Sequence, residues 1–186
     1  MPPDAEAQRP AQARLFLALL PGAAVQGALA AHAQAWGWTE DARRYAPGDW
    51  HVTVHFLGAV PRARLAELCA NLDVPFTPFE LRFGEPRLWP NGLAVLLPMA
   101  VPPALQELHD RLGQRLRQLG LRTDERPYRP HVTLARHAGS ARPPAPPAWG
   151  WRVDAYALVE STGDPAARYR VLQVWGRPDA SDALLP

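Results

Sequence analysis

Residues 51–58 read HVTVHFLG and residues 128–136 read YRPHVTLAR, so the pattern His-x-Thr-x occurs twice. With six histidines and six threonines in the chain, chance predicts only about 0.2 such pairs. Residues i and i+2 of a strand face the same side, and each motif therefore sets an imidazole beside a hydroxyl. Val52 and Val132 face the other side, which we expect to be the core. Two such strands predict a cleft lined by two histidines and two threonines.

A half-repeat surrounds the two motifs. A helical pattern, a stretch with tyrosine and proline, and a His-Val-Thr strand follow one another twice, 80 residues apart. This predicts two units of similar build that face one another. Strand and helix patterns are intermingled without regular βαβ alternation, which favours an α+β fold with largely antiparallel sheets. The predicted strands are 14–20, 51–57, 79–83, 93–97, 131–136, 151–160 and 168–175, and the predicted helices are 22–36, 61–72 and 102–119.

Length and composition are those of one globular domain. A chain of 186 residues that is 47% hydrophobic can bury a core without a metal or disulfide. The net charge of +2 is too balanced for a polybasic binder. All twenty cations are arginines, so a guanidinium with two parallel donors would contact any bound phosphate.

The cysteine count and the N-terminal sequence exclude further classes of protein. The single cysteine, Cys69, excludes an internal disulfide and a multi-cysteine zinc site. Because no apolar run at the N-terminus is long enough for a signal core or a membrane span, we expect a cytoplasmic protein with no membrane contact. We also expect a flexible tail at 1–13, one domain at 14–177 and a C-terminal tail at 178–186.

The paired motifs point to acid–base chemistry. Histidine can hold or release a proton near neutral pH, so two of them can serve as general base and general acid in one displacement. Threonine hydroxyls can donate hydrogen bonds to phosphate oxygens without carrying charge. No nucleophilic serine or cysteine elbow accompanies the motifs, and no carboxylate stands at metal-ligand spacing on the same face. This pattern indicates attack of water on a phosphodiester.

The chain resembles the two-histidine (2H) phosphoesterases, specifically the RNA 2′,3′-cyclic phosphodiesterases formerly described as 2′–5′ RNA ligases. The resemblance covers about 14–175 and includes RLFLALLP at 14–21, the two His-x-Thr segments and ALVESTGDPAARYRVLQVW at 157–175. Glu160, Ser161 and Tyr169 lie at the family's usual places. The segment 87–99 departs from the family, which often has Phe-Pro where this chain has Leu-Trp-Pro. The resemblance implies two pseudo-symmetric lobes, each an antiparallel sheet backed by helices, with a central cleft.

The resemblance also implies the role of each motif residue. In the family the first histidine protonates the leaving ribose O3′ and the second activates water, so His51 is the expected general acid and His131 the expected general base. Thr53 and Thr133 would hold the phosphate and Arg136 would clamp it. No metal and no cofactor are implied.

Phe56 is implied to stack on the terminal base. Phe56 and Arg136 lie five residues beyond their histidines, and strict alternation would place both on the opposite face of the sheet. Their roles therefore require a bulge or a strand end after each threonine. His55 shares the parity of His51, and we expect it at the rim of the cleft.

Several other polar residues are weaker candidates. Histidines on predicted helices are expected to be structural or solvated, and His137 to help an anionic substrate approach. Asp49 could orient an imidazole or stabilise a turn. The arginines before the second motif suit either an RNA-backbone surface or a solvated loop. The helical histidines are His32 and His109, and the arginines before the second motif are Arg122, Arg126 and Arg129.

The expected function is metal-independent hydrolysis of RNA 2′,3′-cyclic phosphodiester ends to 2′-phosphomonoesters. The expected partner is an RNA with such an end or a small cyclic nucleotide, and we expect a monomer without an obligate protein partner. Three alternatives stay open: reversible 2′–5′ joining or cleavage of RNA, a metallohydrolase with the histidines as ligands, and a non-catalytic RNA-end-binding module.

Overall fold

A computed structural model describes residues 11–177 and 184–185, which form one ten-stranded sheet and three α-helices. All strand pairings are antiparallel, which confirms the predicted fold class. None of the helices in this described part is long and apolar enough to cross a bilayer. The elements are β1 (Gln12–Leu19), α1 (Ala23–Gln34), β2 (Arg43–Arg44), β3 (Val52–Pro61), α2 (Leu65–Asn71), β4 (Phe79–Leu88), β5 (Ala94–Pro98), α3 (Pro103–Gln118), β6 (Val132–Arg136), β7 (Gly150–Val153), β8 (Ala155–Ser161), β9 (Tyr169–Gly176) and β10 (Leu184–Leu185).

The sheet consists of two halves that meet at one residue pair. The strand order is β10-β7-β4-β5-β6-β3-β1-β8-β9, with β2 paired to β6 outside this path. β3 and β6 pair only at Val52 and Val132, at the start of each strand. Each half contains the same strand–helix–strand unit, β1-α1-β3 in one and β5-α3-β6 in the other. The structure thus has the two similar units that the half-repeat predicted.

Each of the two longer helices contacts a strand of the half to which it does not belong. α3 contacts β3, and α1 contacts β10. α3 buries a leucine stripe at helical spacing, and each leucine that leaves water contributes roughly 1.5–3 kcal/mol. Gly120 follows α3 with a φ of 73°, a left-handed conformation that glycine adopts without strain. The buried leucines of the helix are Leu105, Leu108, Leu112 and Leu116.

The predicted strand 151–160 is two strands separated at Asp154. β7 pairs with β4 in one half, whereas β8 pairs with β1 in the other. The chain therefore crosses between the halves at Asp154, which is buried. Gly176 lets the end of β9 approach this crossing closely, because its φ is 97° and a Cβ there would lie 2.3 Å from the Asp154 carbonyl oxygen.

The predicted tails need two corrections. β1 begins at Gln12, inside the predicted tail 1–13, because Gln12 and Ala13 pair with the end of β3. Leu184 and Leu185, inside the predicted tail 178–186, pair with β7 as the short strand β10. Two-residue strands show no periodicity, so neither β2 nor β10 was predicted. Residues 1–10, 178–183 and 186 lie outside the described residues.

Candidate active site

The two His-x-Thr motifs lie side by side where the halves of the sheet meet. Because β3 and β6 are antiparallel through Val52 and Val132, His51 lies across from Thr133 and Thr53 across from His131. A cavity of about 300 Å³ opens over this junction and includes all six residues predicted for the site. Its lining residues are Arg14, Phe16, Tyr45, Asp49, His51, Thr53, Phe56, Leu93, His131, Thr133, Arg136, Ser161 and Tyr169.

A β-bulge follows the threonine in both motifs. On β3, Val54 has no partner, because the residues on either side of it pair with consecutive residues of β1. On β6, Leu134 is skipped in the same way by β5. A bulge reverses the alternation of side chains beyond it. Phe56 and Arg136 therefore lie on the cleft face with Thr53 and Thr133, as the family roles require.

Backbone carbonyls fix the tautomer of both histidines. Nδ1 of His51 lies 2.8 Å from the carbonyl oxygen of Asp49, and Nδ1 of His131 lies 2.8 Å from that of Arg129. A carbonyl oxygen can only accept, so Nδ1 carries the proton in each neutral ring. Nε2 is then the nitrogen that can exchange a proton within the cleft. In both cases the acceptor is two residues before the histidine, which makes the two arrangements equivalent.

Aromatic rings hold each imidazole in place. His51 lies 4.8 Å from Phe16 and 5.1 Å from Tyr169 between ring centroids, and His131 lies 4.5 Å from Trp89. Burial lowers the pKa of both histidines below the ordinary value, and the hydrogen bonds from Nδ1 oppose this. The charge of His131 lowers the pKa of His51 further. Neutral imidazoles are therefore favoured before an anion binds.

Two arginines contact the ring of Tyr45 at one side of the cleft. The guanidinium carbon of Arg136 lies 5.7 Å from its centroid, and that of Arg168 lies 4.8 Å away. Arg168 also pairs with the Asp49 carboxylate at 3.5 Å. Asp49 thus orients His51 through its backbone carbonyl, whereas its side chain holds an arginine. No sequence pattern pointed to Arg168, because its proximity to the cleft depends on the pairing of β9 with β8.

A second cavity of about 530 Å³, here called the side cavity, adjoins the cleft at Thr53, Phe56 and His131. Its wall includes Trp89, from the segment that departs from the family pattern, and Arg129, whose guanidinium lies 5.3 Å from the Trp89 centroid. This contact, together with the tilted contact of Trp89 with His131, places the atypical segment 87–99 beside the second His-x-Thr motif.

His55 does not share the face of His51, contrary to the expectation from parity. The bulge at Val54 turns it toward α3, where its ring stacks on His109 at 4.1 Å. His109 stacks in turn on Tyr128 at 4.2 Å. Because the carbonyl of His109 accepts at 2.7 Å from Nε2 of His55, His55 links the sheet to α3. It still reaches the wall of the side cavity.

We expect the burial of His55 to make the fold sensitive to acid. Its burial lowers its pKa from 6.5 to about 4. Above pH 6.5 the ring is neutral in both states, whereas between the two values only the unfolded chain takes up the proton. From pH 7 to pH 5 this one group should lower the free energy of unfolding by about 2 kcal/mol.

Urea unfolding of the wild type and of His55→Gln at both pH values measures this contribution. Glutamine can donate to the same carbonyl and does not titrate. The loss of stability between pH 7 and pH 5 should be smaller in the variant by about that 2 kcal/mol. An equal loss in both proteins would assign the acid sensitivity to other groups.

The remaining candidates have structural contacts. Glu160 is buried between Arg62 and Arg170 and pairs with both. His32 is buried and lies 3.4 Å from the indole nitrogen of Trp36. Arg126 pairs with Asp124 at the wall of the side cavity. His137 is exposed with a φ of 52°.

Comparison with known proteins identifies the family. The family model described as the 2′-5′ RNA ligase superfamily matches residues 25–165, which is most of the chain. The chain belongs to this superfamily. The match confirms the resemblance that the two His-x-Thr segments indicated.

Curated relatives carry a common name. The RNA 2′,3′-cyclic phosphodiesterase of Escherichia coli is 32% identical over 127 residues, covering 66% of this chain and 69% of that protein. The protein of the same name from Geobacillus stearothermophilus is 35% identical over 100 residues, which is 47% of this chain and only 30% of its own length. Among solved structures, Escherichia coli LigT complexed with NADP+ has a TM-score of 0.78 at 25% identity, covering 89% of this chain and 98% of that one.

Proposed function

We propose that the protein hydrolyses RNA 2′,3′-cyclic phosphate ends to 2′-phosphomonoesters with His51 as general acid and His131 as general base. The observation that carries this proposal is the equivalent setting of the two histidines. Each has Nδ1 bonded to a carbonyl and Nε2 available in the same cavity. The name shared by the curated relatives, RNA 2′,3′-cyclic phosphodiesterase, supports the reaction class.

The proposed reaction is one in-line displacement. Nε2 of neutral His131 takes a proton from water as the water oxygen bonds to phosphorus. The bond from phosphorus to O3′ breaks, and Nε2–H of protonated His51 gives its proton to O3′. The anionic substrate raises the pKa of His51 on binding and so supplies the protonated form that burial disfavours in the free protein. The phosphate remains on O2′.

Both uncharged and charged hydrogen-bond donors contact the phosphate oxygens in this proposal. Thr53 and Thr133 offer hydroxyls from the two strands, and Arg136 offers a guanidinium from beyond the second bulge. The transition state gathers negative charge on the non-bridging oxygens, so preorganised donors lower its energy. Arg136 carries a permanent charge in this set, and we assign it the clamp. This assignment requires no metal ion.

Phe56 suits the proposed contact with the terminal base. Its side chain is 49% exposed although it is large and apolar, and Arg14 lies 5.0 Å from its ring centroid on one side. A base can stack on an exposed ring of this kind. NADP+, the compound in the LigT complex, carries an adenosine 2′-phosphate, which has the chemistry of the proposed product.

Reversible 2′–5′ joining of RNA is a second candidate, favoured by the side cavity. This cavity adjoins His131, the proposed base, and has room for more than water. A nucleoside 5′-hydroxyl could take the place of water there, with the same two proton transfers. Transfer to an added 5′-hydroxyl RNA, measured beside hydrolysis, separates the two reactions.

A cyclic-phosphate RNA incubated with the protein and excess EDTA tests the proposal. We expect undiminished turnover, because Arg136 rather than a metal ion offsets the negative charge on the phosphate oxygens. We expect a 2′-phosphate product, because His51 protonates O3′. The product isomer is read by ³¹P NMR against authentic 2′- and 3′-phosphates. A 3′-phosphate would reverse the assigned orientation, and a strict requirement for divalent metal would place the protein among metallohydrolases.

A further inference from the structure

A groove lined by arginines lies beside the cleft and has no role in the reaction just described. It encloses about 620 Å³ and meets the cleft at Tyr45, which lines both. We call it the arginine groove. Its defining residues are Trp38, Arg43, Arg44, Tyr45, Trp50 and Arg168.

The charge of this groove is not balanced. Arg43 is directly opposite Arg136 in the pairing of β2 with β6, and like charges at such positions repel. Within residues 11–177 and 184–185, neither Arg43 nor Arg44 forms an ion pair, and both are exposed. The groove's third arginine, Arg168, is paired with Asp49. An anion bound by Arg43 in the groove would offset this repulsion.

The indole of Trp50 adds a second, independent observation. Trp50 is only 4% exposed, and its Nε1 has no hydrogen-bond partner among the residues that the structure describes. A buried donor without an acceptor is costly, and an acceptor atom of a ligand in the groove would remove that cost. Trp50 lines the groove and directly precedes His51.

We propose that the arginine groove binds the phosphodiester that precedes the terminal nucleotide of the RNA. This inference rests on the proposed function, because His51 at O3′ fixes the direction of the strand. The ribose C4′ and C5′, which lead to that phosphodiester, are on the O3′ side of the ring. The upstream strand therefore leaves the cleft on the side of His51 and Trp50. Arg43 and Arg44 bind the phosphate oxygens, and RNA is preferred over a mononucleotide.

Steady-state kinetics with two substrates tests the groove. The substrates are 2′,3′-cyclic AMP and the trinucleotide ApApA with a 2′,3′-cyclic phosphate end. The wild type should have the higher kcat/KM on the trinucleotide. Arg43→Ala should raise KM for the trinucleotide roughly fivefold and weaken its dependence on salt, with kcat/KM for cyclic AMP unchanged. Arg152→Ala, which removes an exposed arginine from β7, is the matched control and should behave as wild type.

The outcomes separate the groove from the reaction. Equal kcat/KM on both substrates in the wild type, or an equal loss of kcat/KM on both in Arg43→Ala, would contradict phosphodiester binding in the groove. Either result would leave the proposed function intact. Fluorescence polarisation with a labelled five-nucleotide RNA bearing a 2′-phosphate does not depend on turnover. A roughly fivefold weaker Kd for Arg43→Ala than for Arg152→Ala supports the groove even if hydrolysis fails. Equal Kd values overturn it.

Discussion

Replacement of either His51 or His131 by alanine should lower kcat by roughly 10³-fold or more. Each substitution removes one of the two proton transfers of a single displacement, and the remaining histidine cannot perform both. Both rings are only partly buried at the start of their strands, and the adjacent Val52 and Val132 form the core contact. The variants should therefore stay folded, as circular dichroism and thermal unfolding can show.

The control for this loss is His137→Asn. His137 is exposed and has a positive φ, which asparagine tolerates better than alanine. It adjoins Arg136 in sequence but lines neither the cleft nor the side cavity. We expect near wild-type kcat for this variant. Retention of more than a tenth of wild-type turnover in either His51→Ala or His131→Ala would show that the histidines do not form the acid–base pair. A combined variant should be scarcely worse than the single ones, because the two transfers act as a unit.

Arg136→Lys should lower kcat by roughly 10²-fold although it keeps the net charge. The guanidinium offers two parallel donors to the non-bridging oxygens, whereas the lysine ammonium is a point charge on a flexible stem. The contact of Arg136 with the Tyr45 ring holds the guanidinium plane at the edge of the cleft, and an ammonium would not reproduce that orientation. Steady-state kinetics gives kcat, and a 2′-nucleotide as competitive inhibitor should bind more weakly to the variant.

Ionic strength distinguishes a clamp from long-range steering. If Arg136 only attracted RNA, the lysine variant would behave as wild type, and the loss in Arg136→Ala would shrink in high salt. A clamp predicts that Arg136→Lys stays impaired at low and high salt alike. Near wild-type kcat for the lysine variant would remove Arg136 from the phosphate site.

Local pattern predicted most of the secondary structure. The alternation at 131–136 and the leucine spacing of α3 correspond to β6 and to Pro103–Gln118. The predictions were wrong where pairing with distant strands sets the secondary structure. The strand predicted at 151–160 is broken at Asp154, because its two parts pair in different halves of the sheet. The pairing of two-residue strands such as β2 depends on a distant partner, β6, and leaves no periodic signal.

Local sequence pattern was sufficient to indicate the residues proposed to act in the reaction. In each His-x-Thr strand the threonine lies two residues beyond the histidine. The imidazole and the hydroxyl therefore share one face of the strand, because side-chain alternation is a local property of an extended backbone. The same periodicity gave the wrong face for Phe56, Arg136 and His55. Only the pairing of β3 with β1 and of β6 with β5 introduces the bulges that reverse it.

The surroundings of the two histidines depend on contacts between distant parts of the chain. The carbonyls that fix their tautomers are close in sequence, yet Trp89, Tyr169 and Arg168 come from distant strands and loops. The two arginines of β2 lie in the groove beside the cleft only because that strand pairs with β6. The register between strands is set by nonlocal hydrogen bonds and packing. These contacts therefore leave no local pattern in the sequence.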